Sequence, residues 1–268
     1  MKTAIVRGMW GDVRLKRRHS LPPEPYYNLL KAVKAFRERG DVLDCFYCYG
    51  LENKTWLEHL GFEGVRLLHP AAWASPIIND SFYDRFDGVR IFGMSYWWHK
   101  FKILEAALQD FDSVLWIDTD IVQKQSLPDG FFEELNSGAD FRASLYVQRN
   151  WSWGAGWRHK HKWKVPGLKP VEGDSHRAAQ IVPGCGYLYV RNKEVIKEAL
   201  EIQLEHPIWL DHQVMACFLD RRHGGWIGEQ AYLDLGYHTQ GYYYGRQIYR
   251  PSEAETIFQA GKRYAEVP

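Results

Sequence analysis

Apolar and polar positions along this chain switch between two periods. A β-branched run, TAIVR, leads into Gly8 and Gly11 and predicts a buried strand that feeds a loop at its carboxyl end. Next, Tyr26, Leu29, Leu30, Val33 and Phe36 recur at helical spacing until Gly40 stops them. DVLDCFYCYG then reads as a second strand, NKTWLEHLGF as a short helix and GVRLLHP as a third strand. The stretch from Ala71 to Gly93 mixes both periods and is expected to be a loop-rich insert. Ser95 is placed to cap a helix through WWHKFKILEAALQDF, whose apolar face is Trp98, Phe101, Leu104, Ala107 and Leu108. The strand DSVLWIDTD follows at once.

Beyond it, LPDGFFEEL predicts a short helix and ADFRASLYV a strand, and WSWGAGWRHKHKWKVPGLKPVEGD a long polar-aromatic loop. QIVPGCGYLYVRN reads as a strand, followed by helices over NKEVIKEALEIQLEH and DHQVMACFLDRRHGG. Such β/α alternation argues for an α/β fold: one Rossmann-like domain with a mostly parallel central sheet covered by helices. At 268 residues a single domain is expected, with 1–122 as a nucleotide-binding half and 123–268 as an acceptor-binding half.

Composition narrows the classes of function. Lys and Arg number 34 against 33 Asp and Glu, so no global field commits the chain to nucleic acid or membrane. No run of apolar residues approaches the length of a membrane span, and the opening MKTAIVRGMWGD lacks a secretory core, so a cytoplasmic location is expected. Cys45 and Cys48 lie in a strand-like run while Cys185 and Cys217 stand alone, which makes buried thiols a better reading than a zinc knuckle or a disulfide framework. Aromatic residues, at 15%, could stack on sugars or bases, yet the same side chains fill cores and the figure alone decides nothing.

The chemistry concentrates in FDSVLWIDTDIVQ. Asp118 and Asp120 sit two residues apart where a hydrophobic strand ends, so in an extended chain both carboxylates point to one side. Open α/β sheets bind ligands at the carboxyl ends of their strands, and paired carboxylates there offer hard oxygens to Mg²⁺ or Mn²⁺, with phosphate oxygens completing the shell. An isolated D-x-D is commonplace in solvated loops; the apolar Val114, Leu115, Trp116 and Ile117 before it make this one unusual.

From Trp98 to Val122 the chain resembles the donor-binding core of GT-A fold glycosyltransferases, in particular the glycogenin and galactinol synthase type. That family carries a lysine sixteen positions before the first Asp, which here is Lys102. The resemblance implies a metal-dependent transfer of a hexosyl or pentosyl group from a nucleotide-diphosphate donor, uridine-linked and with retention of configuration. In it Asp118 and Asp120 hold the cation and Lys102 contacts the donor. VPGCGYLYVRN is similar to the family's N-A/S-G strand, with Gly186 at the close-approach glycine and Gly184 replacing the usual Asn. LDHQVMACFL is similar to the family's Asp-Gln signature, with His212 between Asp211 and Gln213, which implies catalytic roles for those two. Glu229 in IGEQAYLDL competes with Asp211, and Asp211 is preferred for its distance from Gly186. His238 begins a match to the H-x-x-G-x-x-K-P-W element and implies a metal ligand. Tyr244 stands where the Lys should be, and Arg246 could bind the β-phosphate instead. Arg7 and Gly8, opening the loop after the first strand, are expected near the donor's base.

Two basic runs, RLKRRH from Arg14 to His19 and the Trp-interleaved RHKHKWK from Arg158 to Lys164, suit an anionic acceptor, a modified nucleic acid base among them. Taken alone, each reads more readily as a solvated loop. Two rival readings stand beside the transferase. One is a haloacid-dehalogenase-like phosphatase, whose D-x-D-x-T/V pattern Asp118 to Val122 also fits. The other is a Trp-rich carbohydrate-binding module without catalysis, which leaves the carboxylate-bearing strand unexplained.

Overall fold

A computed structural model of the chain describes residues 1–9, 43–48, 51–68, 92–119, 121–123, 127–149, 169–170, 179–206, 211–223, 242–243, 246–247 and 258–260. The helix expected within 23–40, all of the insert expected over 71–93 except Phe92 and Gly93, Asp120, both basic runs, Glu229 and His238 lie outside these residues, and so does the side chain of Arg246.

Strand β1 (Thr3–Met9) is followed by β2 (Leu43–Cys48), helix α1 (Leu51–His59) and the two-residue β3 (Arg66–Leu67). Helix α2 (Phe92–Asp110) runs into β4 (Ser113–Ile117), and β5 (Ile121–Gln123) and α3 (Phe131–Ser137) come next. Then follow β6 (Phe141–Arg149), β7 (Lys169–Pro170), the long β8 (Ala179–Val190), α4 (Lys193–Glu205) and α5 (Asp211–His223). The short strands β9 (Tyr242–Tyr243), β10 (Arg246–Gln247) and β11 (Phe258–Ala260) complete the order.

Among the described residues the central sheet has the order β3-β2-β1-β4-β8-β6, with β7 also paired to β8. The pairs β3/β2, β2/β1 and β1/β4 are parallel, whereas β8 is antiparallel to both β4 and β6. Five of the six strands in that order therefore share one direction and β8 opposes them, which makes the sheet mixed but mostly parallel, an α/β fold as expected. Three local expectations are corrected. α2 starts at Phe92, so Ser95 is an interior helix residue rather than a cap, and the long loop after β6 contains β7. The first reflects a boundary signal carried by a single serine, which three earlier residues joining the helix override. β1 also reaches Met9, so Arg7 and Gly8 belong to the strand rather than to the loop after it.

Both faces of the sheet are covered, which is why β4 reads as an unbroken apolar run rather than an alternating one. Val114 and Trp116 join Ala4, Val6, Leu188 and Val190 on one face, packed with residues of α2, α4 and α5. Leu115 and Ile117 join Ile5, Tyr187 and Tyr189 on the other, with Leu135 of α3 buried against them and Phe131 and Phe132 packed alongside. α4 begins at Asn192, whose side chain accepts from the Glu194 amide. Among the described residues no helix is long and apolar enough to cross a membrane.

At the amino ends of β1 and β4 a polar cluster closes the bottom of the sheet. Asn136 Oδ1 accepts from Ser113 Oγ at 3.0 Å and from Tyr189 Oη at 2.5 Å, its Nδ2 donates to Thr3 Oγ1 at 3.1 Å, and its carbonyl accepts from Arg191 at 2.6 Å. The candidate chemistry lies at the opposite, carboxyl end.

Candidate functional site

Period two fixes where Asp118 points. It follows Val114 and Trp116 on the same side of the strand, so its carboxylate emerges on the face covered by α2 and α5. Its backbone is clamped from both sides: its amide donates to the Gly186 carbonyl at 2.9 Å, and its own carbonyl accepts from Arg7 Nη1 at 2.9 Å. Arg7 is only 2% exposed, so the guanidinium that reaches Asp118 belongs to the interior of β1. Trp116 Nε1 donates to Asp118 Oδ1 at 2.7 Å.

The same Oδ1 lies 3.0 Å from the ammonium of Lys100, a residue of α2. That ammonium also reaches Asp211 Oδ2 at 2.5 Å and the Cys185 carbonyl at 2.9 Å, and it stands 5.4 Å from the centre of the Trp116 ring. The ammonium is matched by two hydrogen-bonded oxygens, on Asp211 and Cys185, and by the Asp118 carboxylate at ion-pair distance. This matching is what permits a lysine 4% exposed to remain charged: removing an ion from water costs several kcal/mol unless close partners offset the loss. Burial works to lower the Lys100 pKa, but the charges of Asp118 and Asp211 outweigh it and hold it above the ordinary lysine value.

Asp211 opens α5, and its side chain is 8% exposed. Its Oδ1 accepts from the His212 amide at 2.8 Å, and His212 Nδ1 lies 3.4 Å away. Burial alone would push this carboxyl up; the Lys100 charge and the two His212 contacts prevail and hold it well below the usual carboxylate range. Cys185, buried beside these charges, has its thiol pushed far above its ordinary value, first by burial and then by Asp211, so it is a neutral wall rather than a nucleophile.

β8 shapes itself around this cluster. Its register with β6 runs from Ala143 opposite Leu188 straight to Ser144 opposite Gly184, so Cys185, Gly186 and Tyr187 bulge out of the ladder. The bulge supplies the Cys185 carbonyl to Lys100 and the Gly186 carbonyl to Asp118. Beyond Asp118, β5 pairs with β11, Ile121 opposite Ala260, so the segment just after the aspartates is held by a strand from near the end of the described chain.

The structure thus brings together Arg7, Asp118, Gly186 and Asp211 of the residues expected from sequence. Gly8 is buried in β1, one position beyond Arg7, and Gln213 is 6% exposed in the first turn of α5. Lys102 is not in the cluster's contacts: its ammonium pairs with Glu105 on the same helix, and two positions along a helix turn a side chain by about 200°. The lysine that meets the carboxylates is Lys100. Its signal was present in the sequence, because Lys100, Ile103, Leu104 and Ala107 share the spacing i, i+3, i+4, i+7, and a lysine on an apolar stripe is a buried charge in waiting.

The donor set suits a hard divalent cation that takes most of its ligands from water and phosphate. The Asp118 side chain is 35% exposed, and its Oδ1 is engaged while its Oδ2 accepts no hydrogen bond among the described residues. Among those residues no three His, Cys, Asp or Glu side chains stand together as a complete cation site.

No protein-family model matches the chain, and no curated protein matches it in sequence. Solved structures do match it in fold. Mouse xyloside xylosyltransferase 1 in its apo form superposes over 100% of both chains, with a TM-score of 0.51 at 12% identity. An active-site mutant of LgtC superposes over 97% of this chain and 87% of its own, with a TM-score of 0.50 at 13% identity. At these identities the likeness is one of fold, and that fold is the GT-A fold of glycosyltransferases.

Proposed function

We propose that this chain is a metal-assisted glycosyltransferase that takes a sugar from a nucleotide diphosphate bound at the carboxyl ends of β1 and β4. The observation that carries this reading is the partly exposed carboxylate of Asp118, locked through Oδ1 by Trp116 and Lys100 at the tip of a fully buried strand, with Oδ2 accepting no hydrogen bond among the described residues. The GT-A fold supports it, since the site stands where open α/β sheets bind their ligands. Mouse xyloside xylosyltransferase 1 and LgtC are transferases of that fold.

On this reading Asp118 and Asp120 hold Mn²⁺ or Mg²⁺, with His238 as a third ligand, and the bound cation supplies charge neutralisation to the diphosphate as it leaves. Lys100 holds the Asp118 carboxylate in place, which spares reorganisation when the donor arrives. Asp211, held ionised by Lys100, lies beside the anomeric face, where a fixed negative charge favours positive charge developing on the sugar. Gln213 from the same helical turn positions the sugar, and Gly186 allows it to approach the backbone. Arg246 serves as the cation on the diphosphate, while Lys102, already paired with Glu105, is secondary. Arg7 and Gly8 shape the floor under the nucleotide, Arg7 acting through the Asp118 carbonyl. A uridine-linked donor and retention are the finer expectations, and the basic runs Arg14 to His19 and Arg158 to Lys164 favour an anionic acceptor.

A thermal-shift screen of nucleotide diphosphates and their sugars, with and without Mn²⁺, tests the reading, because a ligand that binds only the folded chain raises its melting temperature. One nucleotide should stabilise the protein only with Mn²⁺ present, and Asp118→Asn should abolish that rise. A rise that needs no metal, or that survives Asp118→Asn, would remove the metal role.

A further inference from the structure

We propose that Lys100 is a positioning residue that makes cation binding at Asp118 depend on the nucleotide diphosphate, by supplying the local positive charge while no donor is bound. The inference rests on the donor-site reading above. Asp118, Lys100 and Asp211 form a closed triad with a net charge of −1, its ammonium 3.0 Å from one carboxylate and 2.5 Å from the other. A divalent cation arriving alone at Asp118 Oδ2 meets a carboxylate whose other oxygen already faces an ammonium. The two positive centres then share one carboxylate, the ammonium standing 3.0 Å from one of its oxygens and the cation bound to the other.

Like charges so close oppose each other strongly wherever water is partly excluded, and Lys100 is 4% exposed. The ammonium cannot withdraw, because the Cys185 carbonyl and Asp211 hold two of its three protons. A nucleotide diphosphate brings two or more negative charges and reverses the balance, so cation and nucleotide bind together rather than in turn. By thermodynamic reciprocity each tightens the other by the same factor.

The test is a Mn²⁺ titration of the full chain, followed by electron paramagnetic resonance of the free ion, with and without UDP. Lys100→Met combined with Asp211→Asn removes the ammonium and leaves the local net charge at −1. This double variant should bind Mn²⁺ alone about tenfold or more tighter than the parent, and the tightening by UDP should shrink accordingly. Asp211→Asn alone leaves the ammonium to lean on Asp118, so it should weaken Mn²⁺ binding in the absence of UDP and enlarge the effect of UDP. These shifts of opposite sign are not what loss of a structural contact produces, and Asp211→Asn carries the test should the double variant fail to fold. Unchanged Mn²⁺ affinity in the folded variants, with UDP coupling intact in the parent and lost in Asp118→Asn, would overturn the role of Lys100 alone. Absence of any UDP effect on Mn²⁺ in the parent would instead take down the donor-site reading, and this inference with it.

Discussion

Lys100 and Asp211, 111 positions apart in sequence, form a buried ion pair with Nζ 2.5 Å from Oδ2 and both side chains less than a tenth exposed. A pair of this kind is costly to break from one side, because the survivor keeps its charge without its counter-charge. Lys100→Met or Asp211→Asn alone should cost about 3–5 kcal/mol in urea denaturation, and the double variant should recover most of that loss. Losses that simply add would mean that the two charges do not stabilise one another.

The pH dependence of this pair follows from its shifted groups. Asp211 titrates below its unfolded value, so its contribution is complete above about pH 4 and is lost as pH falls through the lowered value. Lys100 titrates above its unfolded value, so its contribution is complete below about pH 10 and is lost only above that. Stability due to the pair should therefore be flat from about pH 5 to 9, which a series of urea midpoints would show.

His99, next to Lys100 on α2, behaves differently. Burial lowers its pKa from 6.5 to about 4, so between those values the unfolded chain binds a proton that the folded chain refuses. Stability should decline over that interval by up to about 3 kcal/mol, less whatever solvent screening removes. His99→Asn should flatten the decline between pH 6.5 and 4 while leaving the fall at lower pH in place.

Trp116→Phe keeps the ring that packs in the core and deletes the indole N–H that donates to Asp118 Oδ1. The expected stability loss is about 1 kcal/mol, the net worth of one such bond. Metal-dependent nucleotide binding should fall more than that loss implies, because the carboxylate loses one of its two restraints. Thermal shift with and without Mn²⁺ separates the two effects.

Asn136→Ala supplies the contrast. It strips partners from Thr3, Ser113 and Tyr189 at the end of the sheet away from Asp118, and should cost about 2–3 kcal/mol while leaving nucleotide and Mn²⁺ affinity unchanged. A changed affinity would show that the two ends of the sheet are coupled.

Much of the fold was readable from sequence because its strands are buried on both faces and its helices are periodic. β2, β4, α4 and α5 fall within the runs that predicted them, while β1 and α2 extend past one end of theirs, β1 to Met9 and α2 back to Phe92. Asp118 was readable for the same reason: a carboxylate closing a run such as VLWI has no apolar explanation. Sequence reasoning singled out Lys102 and did not mention Lys100, because spacing from a motif counts residues along the chain, whereas contact with Asp118 depends on the face of a helix, and the two lysines face different ways. The reversed direction of β8 and its bulge at Cys185 to Tyr187 left no local signature, since strand direction is decided by partners far away in sequence. Arg7 illustrates the same limit: nothing near it in sequence announces that its guanidinium reaches the carbonyl of Asp118.

Three of the contacts that shape the Asp118 cluster close long loops of chain: 111 residues from Arg7 to Asp118, 111 from Lys100 to Asp211, and 85 from Lys100 to Cys185. Loop closure on that scale is slow, and it precedes the contacts that reward it. The cluster therefore assembles only as the whole sheet does, and a fragment ending near residue 122 would carry Arg7, Lys100 and Asp118 without the partners that Cys185, Gly186 and Asp211 supply.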